Sequence, residues 1–133
     1  MSPLVTVAIP TRNRQVCAAT LVRAVLELVP DCQVVVSDNS DDQSLRELLE
    51  DQLADQRLSY KYEPAKLSVI DNFNSALERA SGDFVTFLGD DDIIGPYFQE
   101  VAAKAKAEGV EALLYRTRER MIHYFWPNIS SPR

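Results

Sequence analysis

The feature that most constrains the fold is a regular alternation of short β-branched runs with longer helical stretches. Leu4–Ile9 and Gln33–Ser37 read as strands buried on both faces, whereas Gln15–Leu28 has the length and apolar density of a helix between them. Pro10 and Pro30 mark the predicted ends of the first strand and of this helix. Strand, helix and strand in this order predict a mostly parallel sheet with helices on both faces, an α/β fold.

The same alternation continues to about residue 115. Ser68 and Asp71 are spaced as a capping box at the start of a helix, with Asp in the place usual for Glu. Pro96 suits the first turn of a helix, because the N–H that it lacks has no helical partner there. The further predicted elements are strands at Leu58–Glu63, Asp83–Leu88 and Ala112–Tyr115, and helices after Asp41 and Asp42 through Leu53, from Ser68 to Gly82, and from Gly95 to Gly109.

Length and composition indicate one globular domain. The chain has 133 residues, 46% of them hydrophobic, and a net charge of −6, which disfavours nucleic acid or an anionic membrane as partner. Cys17 and Cys32 have no metal-ligand or redox spacing, and we expect buried free thiols in a reducing cytoplasm. The most apolar stretch, Val16–Val29, is broken by Arg23 and Glu27, so no transmembrane segment is expected.

Polar residues cluster in the loops that follow the predicted strands. In open α/β sheets, ligands bind beyond the carboxyl ends of the strands. Most of these loops are rich in side chains of the kind that bind a nucleotide. The loops are Pro10–Arg14, Ser37–Asp42, Glu63–Asn74 and Gly89–Ile94.

Three consecutive carboxylates, Asp90, Asp91 and Asp92, follow the fourth predicted strand directly after Gly89. Adjacent carboxylates repel one another unless a cation or a hydrogen-bond donor offsets their charge. Their hard oxygens suit Mg²⁺ or Mn²⁺, and a metal with few protein ligands retains positions for phosphate oxygens. The alternative is a solvated acidic turn that caps the helix after Pro96.

Four motifs, in order, resemble those of family 2 glycosyltransferases, which have the GT-A fold. Val7–Arg14 resembles the family's first strand and the loop around the nucleobase, and Val35–Asp42 is similar to its second-strand motif, Val-Val-Asp-Asp-Gly-Ser. Asn74–Val85 is similar to the family's passage from helix to strand, and Phe87–Asp92 stands where the family carries its metal-binding DXD motif. The resemblance implies a GT-A (Rossmann-like) α/β fold.

The resemblance also implies which residues bind the nucleotide. Asp38 matches the second acid of the family's pair, which accepts a hydrogen bond from the base, and uracil N3–H would supply that donor. Asn74 would position the nucleotide, and Asp90 would face the ribose or assist at the metal. The residues expected to line the base and ribose pocket are Pro10, Thr11, Arg12 and Asn13.

A divalent cation, Mg²⁺ or Mn²⁺, is the cofactor that the resemblance implies. Asp91 would be the main metal ligand, with Asp92 beside it and Asp90 assisting. Two positions depart from the family pattern. Gly89 stands where many members have the first Asp of the metal motif, and Ser37 replaces the first acid of the Asp-Asp pair.

The reaction implied by the resemblance is transfer of a sugar, with inversion, from a nucleoside-diphosphate donor to an acceptor hydroxyl. UDP is the expected nucleotide, and the acceptor is not specified. The family's general base comes later in the chain, and Glu119 is the only carboxylate after Tyr115, so the base is expected beyond residue 133. Residues 1–133 are therefore predicted to form one nucleotide-sugar-binding domain that binds the donor, lacks the acceptor-binding part and could form a homo-oligomer.

Two other classes of protein share parts of this pattern. The first is a flavodoxin-like or receiver-type signalling domain. A receiver needs an acid pair directly after its first strand, where this chain has Pro10–Asn13, and this class is rejected for that reason. A non-catalytic module of GT-A-like fold, which holds a nucleotide or another protein, remains open. Replacing Asp91 by Asn would abolish metal-dependent nucleotide binding in an enzyme-derived site and change nothing in such a module.

Overall fold

The computed structural model describes residues 2–112, which form a four-stranded sheet with helices packed against it. The elements in chain order are β1 (Val5–Thr11), α1 (Gln15–Leu28), β2 (Cys32–Asp38), α2 (Ser44–Leu48), β3 (Leu58–Tyr62), α3 (Val69–Leu77), β4 (Phe84–Phe87) and α4 (Phe98–Ala107). Every strand pair in this part of the chain is parallel, and the strand order is β3-β2-β1-β4. The predicted parallel α/β sheet is confirmed.

β1 lies inside the sheet, and its seven residues are all buried. β2 runs beside it in a register that extends from Val5 opposite Cys32 to Thr11 opposite Asp38. β4 pairs with the other edge of β1, but only as far as Ala8. Runs of buried residues like these are typical of parallel strands, which are covered on both faces.

Helices cover both faces of the sheet, as predicted. On one face, α1 and α2 pack on a cluster that includes Val7 and Val34, and the start of α4 contacts the same cluster. On the other face, Ala76 of α3 packs on Ala8 and Val35. Fully burying a valine or leucine side chain contributes about 1.5–3 kcal/mol, so these two layers account for much of the stability of the sheet.

Pro10 does not end β1, which continues to Thr11, and the prediction was wrong on this point. Successive residues of a parallel strand direct their hydrogen bonds to opposite sides. Thr11 accepts from Asn39 N on the β2 side, and Ala8 accepts from Leu88 N on the β4 side. Pro10 therefore turns its missing N–H toward β4. It ends the pairing with β4 without interrupting the pairing with β2.

Two helices are shorter than their predictions. α2 covers only Ser44–Leu48, whereas a helix from Asp41–Asp42 through Leu53 was expected. One helical turn already packs α2 against α1, after which the chain turns back toward β3. α4 begins at Phe98 rather than at Gly95. The bounds predicted for α1 are confirmed.

Gly82 packs against β1 and does not end α3. Ser68 caps α3 as predicted, because its side chain accepts from Asp71 N at 3.1 Å, but the helix ends at Leu77 and not at Gly82. Gly82 N donates to Thr6 Oγ1 at 2.9 Å. A Cβ at Gly82 would lie only 2.5 Å from Thr6 N, so the close approach to β1 requires glycine.

The described residues include no helix long and apolar enough to cross a membrane. Ala112 is the last of them and is not in a strand, and the remainder of the predicted fifth strand, Leu113–Tyr115, lies outside the described residues. Glu119 also lies outside them, as do the C-terminal aromatic residues.

Candidate functional site

A crevice at the carboxyl ends of β1 and β4 follows from the order of the strands. α1 connects β1 to β2 across one face of the sheet, and α3 connects β3 to β4 across the other. From β1 the chain moves to β2 and then to β3, whereas α3 returns it to β4 on the other side of β1. The strand order therefore reverses between β1 and β4, and open α/β sheets bind ligands at such a switch point. Across this point the Thr11 hydroxyl donates to Asp90 Oδ2 at 2.8 Å.

The loop after β1 is joined to the loop after β2 by a dense set of polar contacts. Arg12 donates to Asn39 Oδ1 at 3.1 Å and to Asp41 Oδ1 at 2.9 Å. Asn13 has a φ of 55°, a left-handed conformation that asparagine tolerates better than most residues. In that conformation its side chain donates to Asp41 Oδ2 and accepts from Asp41 N. The predicted residues Arg12 and Asn13 therefore hold the second loop in place.

Asn39 is the central residue of this region, and sequence reasoning missed it. Its buried side-chain amide donates to the carbonyls of Glu63 and Ala65, at 2.8 and 2.7 Å. Its Oδ1 accepts from Leu67 N as well as from Arg12. Asn39 thus connects the loops after β1, β2 and β3. It occupies the Gly position of the family's Val-Val-Asp-Asp-Gly-Ser motif, and that departure was the available signal.

A pocket of about 130 Å³ opens where these three loops meet. It combines two cationic side chains, one carboxylate and one aromatic ring, and the ring is fixed because the Tyr62 hydroxyl donates to Ser40 O at 3.1 Å. Such a set can hold an anionic, planar ligand such as a nucleotide. The lining residues are Arg12, Asn39, Ser40, Asp41, Tyr62, Pro64 and Lys66.

Asp38 lies at the end of β2 but is fully buried beneath the pocket region. Its Oδ1 accepts from Ser40 N at 3.1 Å, and its Oδ2 accepts from the Tyr60 hydroxyl at 2.7 Å. Burial, together with this bond to Asp38, raises the pKa of Tyr60 well above its ordinary value. Tyr60 therefore remains a protonated donor. The Asp38 carboxylate is therefore held within the protein, whereas the Asp41 side chain of the same loop is 71% exposed.

The three acidic side chains after β4 do not act as one group. Asp90, only 12% exposed, pairs with Arg14 Nε at 3.3 Å, and Asp91, 57% exposed, pairs with Arg14 Nη2 at 3.1 Å. Asp92 turns back, and its Oδ2 accepts from Gly89 N at 2.8 Å. The carboxylates, Asp90 first, raise the pKa of Arg14. Among residues 2–112, no group of three or more His, Cys, Asp or Glu side chains is arranged to hold a metal ion.

α3 contributes a buried asparagine, Asn72, to the crevice. Sequence reasoning missed this residue. Asn72 donates to Thr11 O at 3.2 Å, and its Oδ1 is buried with no hydrogen-bond partner in the part of the chain that the structure describes. The predicted Asn74 is exposed on the same helix, two positions further on. Pro10 is buried in β1. The signal for Asn72 was its spacing of four residues from Ala76, which faces the sheet.

The sheet order and the polar crevice at its switch point define a GT-A-like α/β protein. The chain belongs to glycosyl transferase family 2, whose sequence model matches residues 6–129. In Campylobacter jejuni, a GalNAc(5)-diNAcBac-PP-undecaprenol beta-1,3-glucosyltransferase is 33% identical over 93 residues, which are 68% of this chain and 30% of that protein.

Solved structures show the same fold. A crystal structure of S. aureus TarS 1-349 in complex with UDP-GlcNAc superposes with a TM-score of 0.67 and 26% identity, over 81% of this chain and 32% of that one. A mannosyltransferase, PcManGT from Pyrobaculum calidifontis, in complex with GDP-Man and Mn²⁺, superposes with a TM-score of 0.63 at 20% identity, over 80% of this chain and 32% of that one. The chain spans about a third of the length of these relatives.

Proposed function

We propose that this chain binds the nucleoside-diphosphate sugar, a UDP-sugar, from which a family 2 glycosyltransferase transfers the sugar to an acceptor hydroxyl. The observation that carries the proposal is the convergence of polar loops at the carboxyl ends of the strands: Thr11 bonds Asp90 across the switch point, and Arg12 bonds Asp41 in the loop after β2. The likeness to TarS, which was crystallised with UDP-GlcNAc, supports it. Transfer of the sugar to the acceptor hydroxyl is likewise proposed, as the activity of the whole protein.

The base and ribose are proposed to enter the pocket between the loops after β1, β2 and β3. Arg12 and Lys66 supply positive charge there, and Tyr62 offers an aromatic surface. Asp41, which is 71% exposed, can accept an N–H from the base. Asp38 then acts from below by holding the loop, because its carboxylate is fully buried and out of reach of the base.

The other predicted nucleotide-binding residues have supporting parts in this proposal. Thr11 orients Asp90, and Asn13 orients Asp41, through the hydrogen bonds described above. Pro10 forms the buried end of β1 beneath them. Asn74, exposed on α3, is the weakest candidate for a contact with the nucleotide.

Asp90 and Asp91 fit a divalent cation that takes its other ligands from the diphosphate. Both carboxylates approach one cationic group, the Arg14 guanidinium, so the space between them favours positive charge. Two protein ligands leave positions for phosphate oxygens, as is usual for Mg²⁺ and also suits Mn²⁺. Asp92 would join them only by leaving Gly89 N. When bound, such a cation stabilises the charge of the leaving diphosphate as a Lewis acid.

The described residues support binding and orientation of the donor rather than the whole reaction. The crevice fixes the nucleotide at one end and the diphosphate at the other, which limits the positions open to the sugar. Inverting transfer also needs a general base within hydrogen-bond reach of the acceptor hydroxyl. We therefore assign donor binding to residues 2–112 and assign none of these residues as that base.

Calorimetric titration of the chain with UDP, with and without Mn²⁺, tests the proposal. We expect binding that strengthens at least about tenfold with Mn²⁺, a difference of roughly 1.4 kcal/mol. Asp91→Asn should remove most of this metal dependence. Asp51→Asn, at an exposed position in the turn after α2, removes the same charge elsewhere and should leave it intact.

The alternative outcomes separate the two candidate functions. Absence of binding to UDP, GDP and dTDP would reject a donor site. UDP binding that neither Mn²⁺ nor Asp91→Asn alters would reject the metal and favour the non-catalytic module.

A further inference from the structure

Arg14 contacts both carboxylates that are proposed to bind the divalent cation. We propose that the Arg14 guanidinium occupies the cation position between Asp90 and Asp91 in the ligand-free chain, and that a divalent cation must displace it to bind. This inference rests on the metal-binding part of the proposed function. It makes Arg14 a competitor of the metal and thereby a determinant of metal affinity.

The geometry of the contacts supports this role. Arg14 Nε lies 3.3 Å from Asp90 Oδ1, and Arg14 Nη2 lies 3.1 Å from Asp91 Oδ2. The second oxygen of Asp90 is held by the Thr11 hydroxyl at 2.8 Å. One planar cation therefore spans the two carboxylates, which would otherwise repel each other. A metal at the same place would use the oxygens that Arg14 now engages.

The position of Arg14 on its helix points the same way. Arg14 is the N-cap residue of α1, makes no side-chain capping bond, and is followed by no acidic residue in the first turn. A positive charge at a helix N-terminus is unfavourable because it opposes the helix dipole. Arg14 thus costs α1 some stability, and its ion pairs with Asp90 and Asp91 offset that cost.

The contact is weak enough to be displaced. The Arg14 side chain is 49% exposed and that of Asp91 is 57% exposed, so water and salt screen their attraction. A divalent cation carries twice the charge of a guanidinium and prefers carboxylate oxygens. Once released, Arg14 remains at the edge of the crevice because its backbone begins α1.

Mn²⁺ titration of the nucleotide-free chain, followed by the electron paramagnetic resonance signal of free Mn²⁺, tests the inference. Arg14→Gln should bind Mn²⁺ roughly fivefold more tightly than the unaltered chain, the size expected for the loss of competing exposed ion pairs. Arg23→Gln is the matched control, because it removes the same charge from the same helix at a residue that contacts Leu48 O and Gln52. It should leave Mn²⁺ affinity unchanged.

Three results would overturn the inference: an unchanged or weaker Mn²⁺ affinity in Arg14→Gln, an equal gain in Arg23→Gln, or no Mn²⁺ binding by any of these chains. Circular dichroism of each variant verifies that it is folded. UDP titration distinguishes failure of the Arg14 inference from failure of the proposed function. Mn²⁺-dependent UDP binding that Arg14→Gln does not alter would reject the role of Arg14 alone, whereas absence of UDP binding in every chain would reject the donor site itself.

Discussion

Asp38 shows how a single side chain can match a family motif and still act indirectly. Sequence resemblance predicts a contact between Asp38 and the base, but the carboxylate is fully buried and bonded to Tyr60 and to Ser40 N. These bonds fix the start of the loop that carries Asp41. The predicted contact between Asp38 and the base therefore stays a prediction. The hydrogen bonds of Asp38 indicate that it holds that loop.

Removing the Tyr60 hydroxyl should destabilise the fold. Tyr60→Phe leaves Asp38 Oδ2 buried without this donor, which is expected to cost about 1–3 kcal/mol of unfolding free energy. Tyr97→Phe is the control, because Tyr97 is 66% exposed. Urea unfolding at pH 7 measures both. Equal stabilities of the two variants would mean that the Tyr60–Asp38 bond contributes nothing.

At the scale of elements, the residues just before β4 make a tight contact with β1 that the sequence pattern misassigned. Gly82 looks like the end of a helix in the sequence, but it lies against the backbone of Val5 and Thr6. Asp83 N and Phe84 N bond to the carbonyls of Pro3 and Leu4 immediately afterwards. The approach of Gly82 thus sets the register of β4, and with it the position of the acidic residues after that strand.

Gly82→Ala should therefore be markedly destabilising. A Cβ there would lie 2.5 Å from Thr6 N and 2.7 Å from Val5 C, and relieving such contacts costs about 1–3 kcal/mol. Gly95→Ala is the matched control, since its Cβ would meet nothing within 4 Å. Thermal unfolding of both variants tests the prediction. A Gly82→Ala variant as stable as Gly95→Ala would show that β4 can shift without cost.

At the scale of the whole molecule, the core connects the start of β2 to the helices on one face. Cys32 is buried in this core as predicted, whereas Cys17 is exposed on α1, and the prediction of a buried thiol was wrong for that residue. Burial raises the pKa of Cys32 to about 11, so its thiol stays protonated at pH 8. Since only the thiolate reacts, both the raised pKa and the lack of access protect Cys32 until the core opens.

Thiol labelling should accordingly report opening of the core. In Cys17→Ser, Cys32 is expected to react with a disulfide reagent at pH 8 many times more slowly than a denatured control, and the rate should rise with added urea. In Cys32→Ser, Cys17 should react at once. Rapid labelling of Cys32 in the absence of urea would contradict the tight packing around β2.

Local sequence patterns determined which stretches are helices and strands. The bounds of α1 follow from its apolar density between two prolines, and Ser68 caps α3 because its spacing to Asp71 is a local signal. The order of motifs likewise predicted the family, which is confirmed, and the edge of the sheet at which the donor site is proposed. Such features depend on neighbours in the sequence and can therefore be recognised without the fold.

The partners of the polar side chains were decided only by the tertiary structure. Asn39 joins three loops, Asn72 reaches Thr11 O, and Arg14 bridges Asp90 to Asp91, in each case across many residues of intervening chain. No spacing rule encodes such contacts, because the parallel crossovers bring these loops together only after the sheet has formed. The sequence by itself therefore determined the family and the order of the helices and strands, and it predicted where the site lies, while three-dimensional packing decided where several elements end and which partners the polar side chains have.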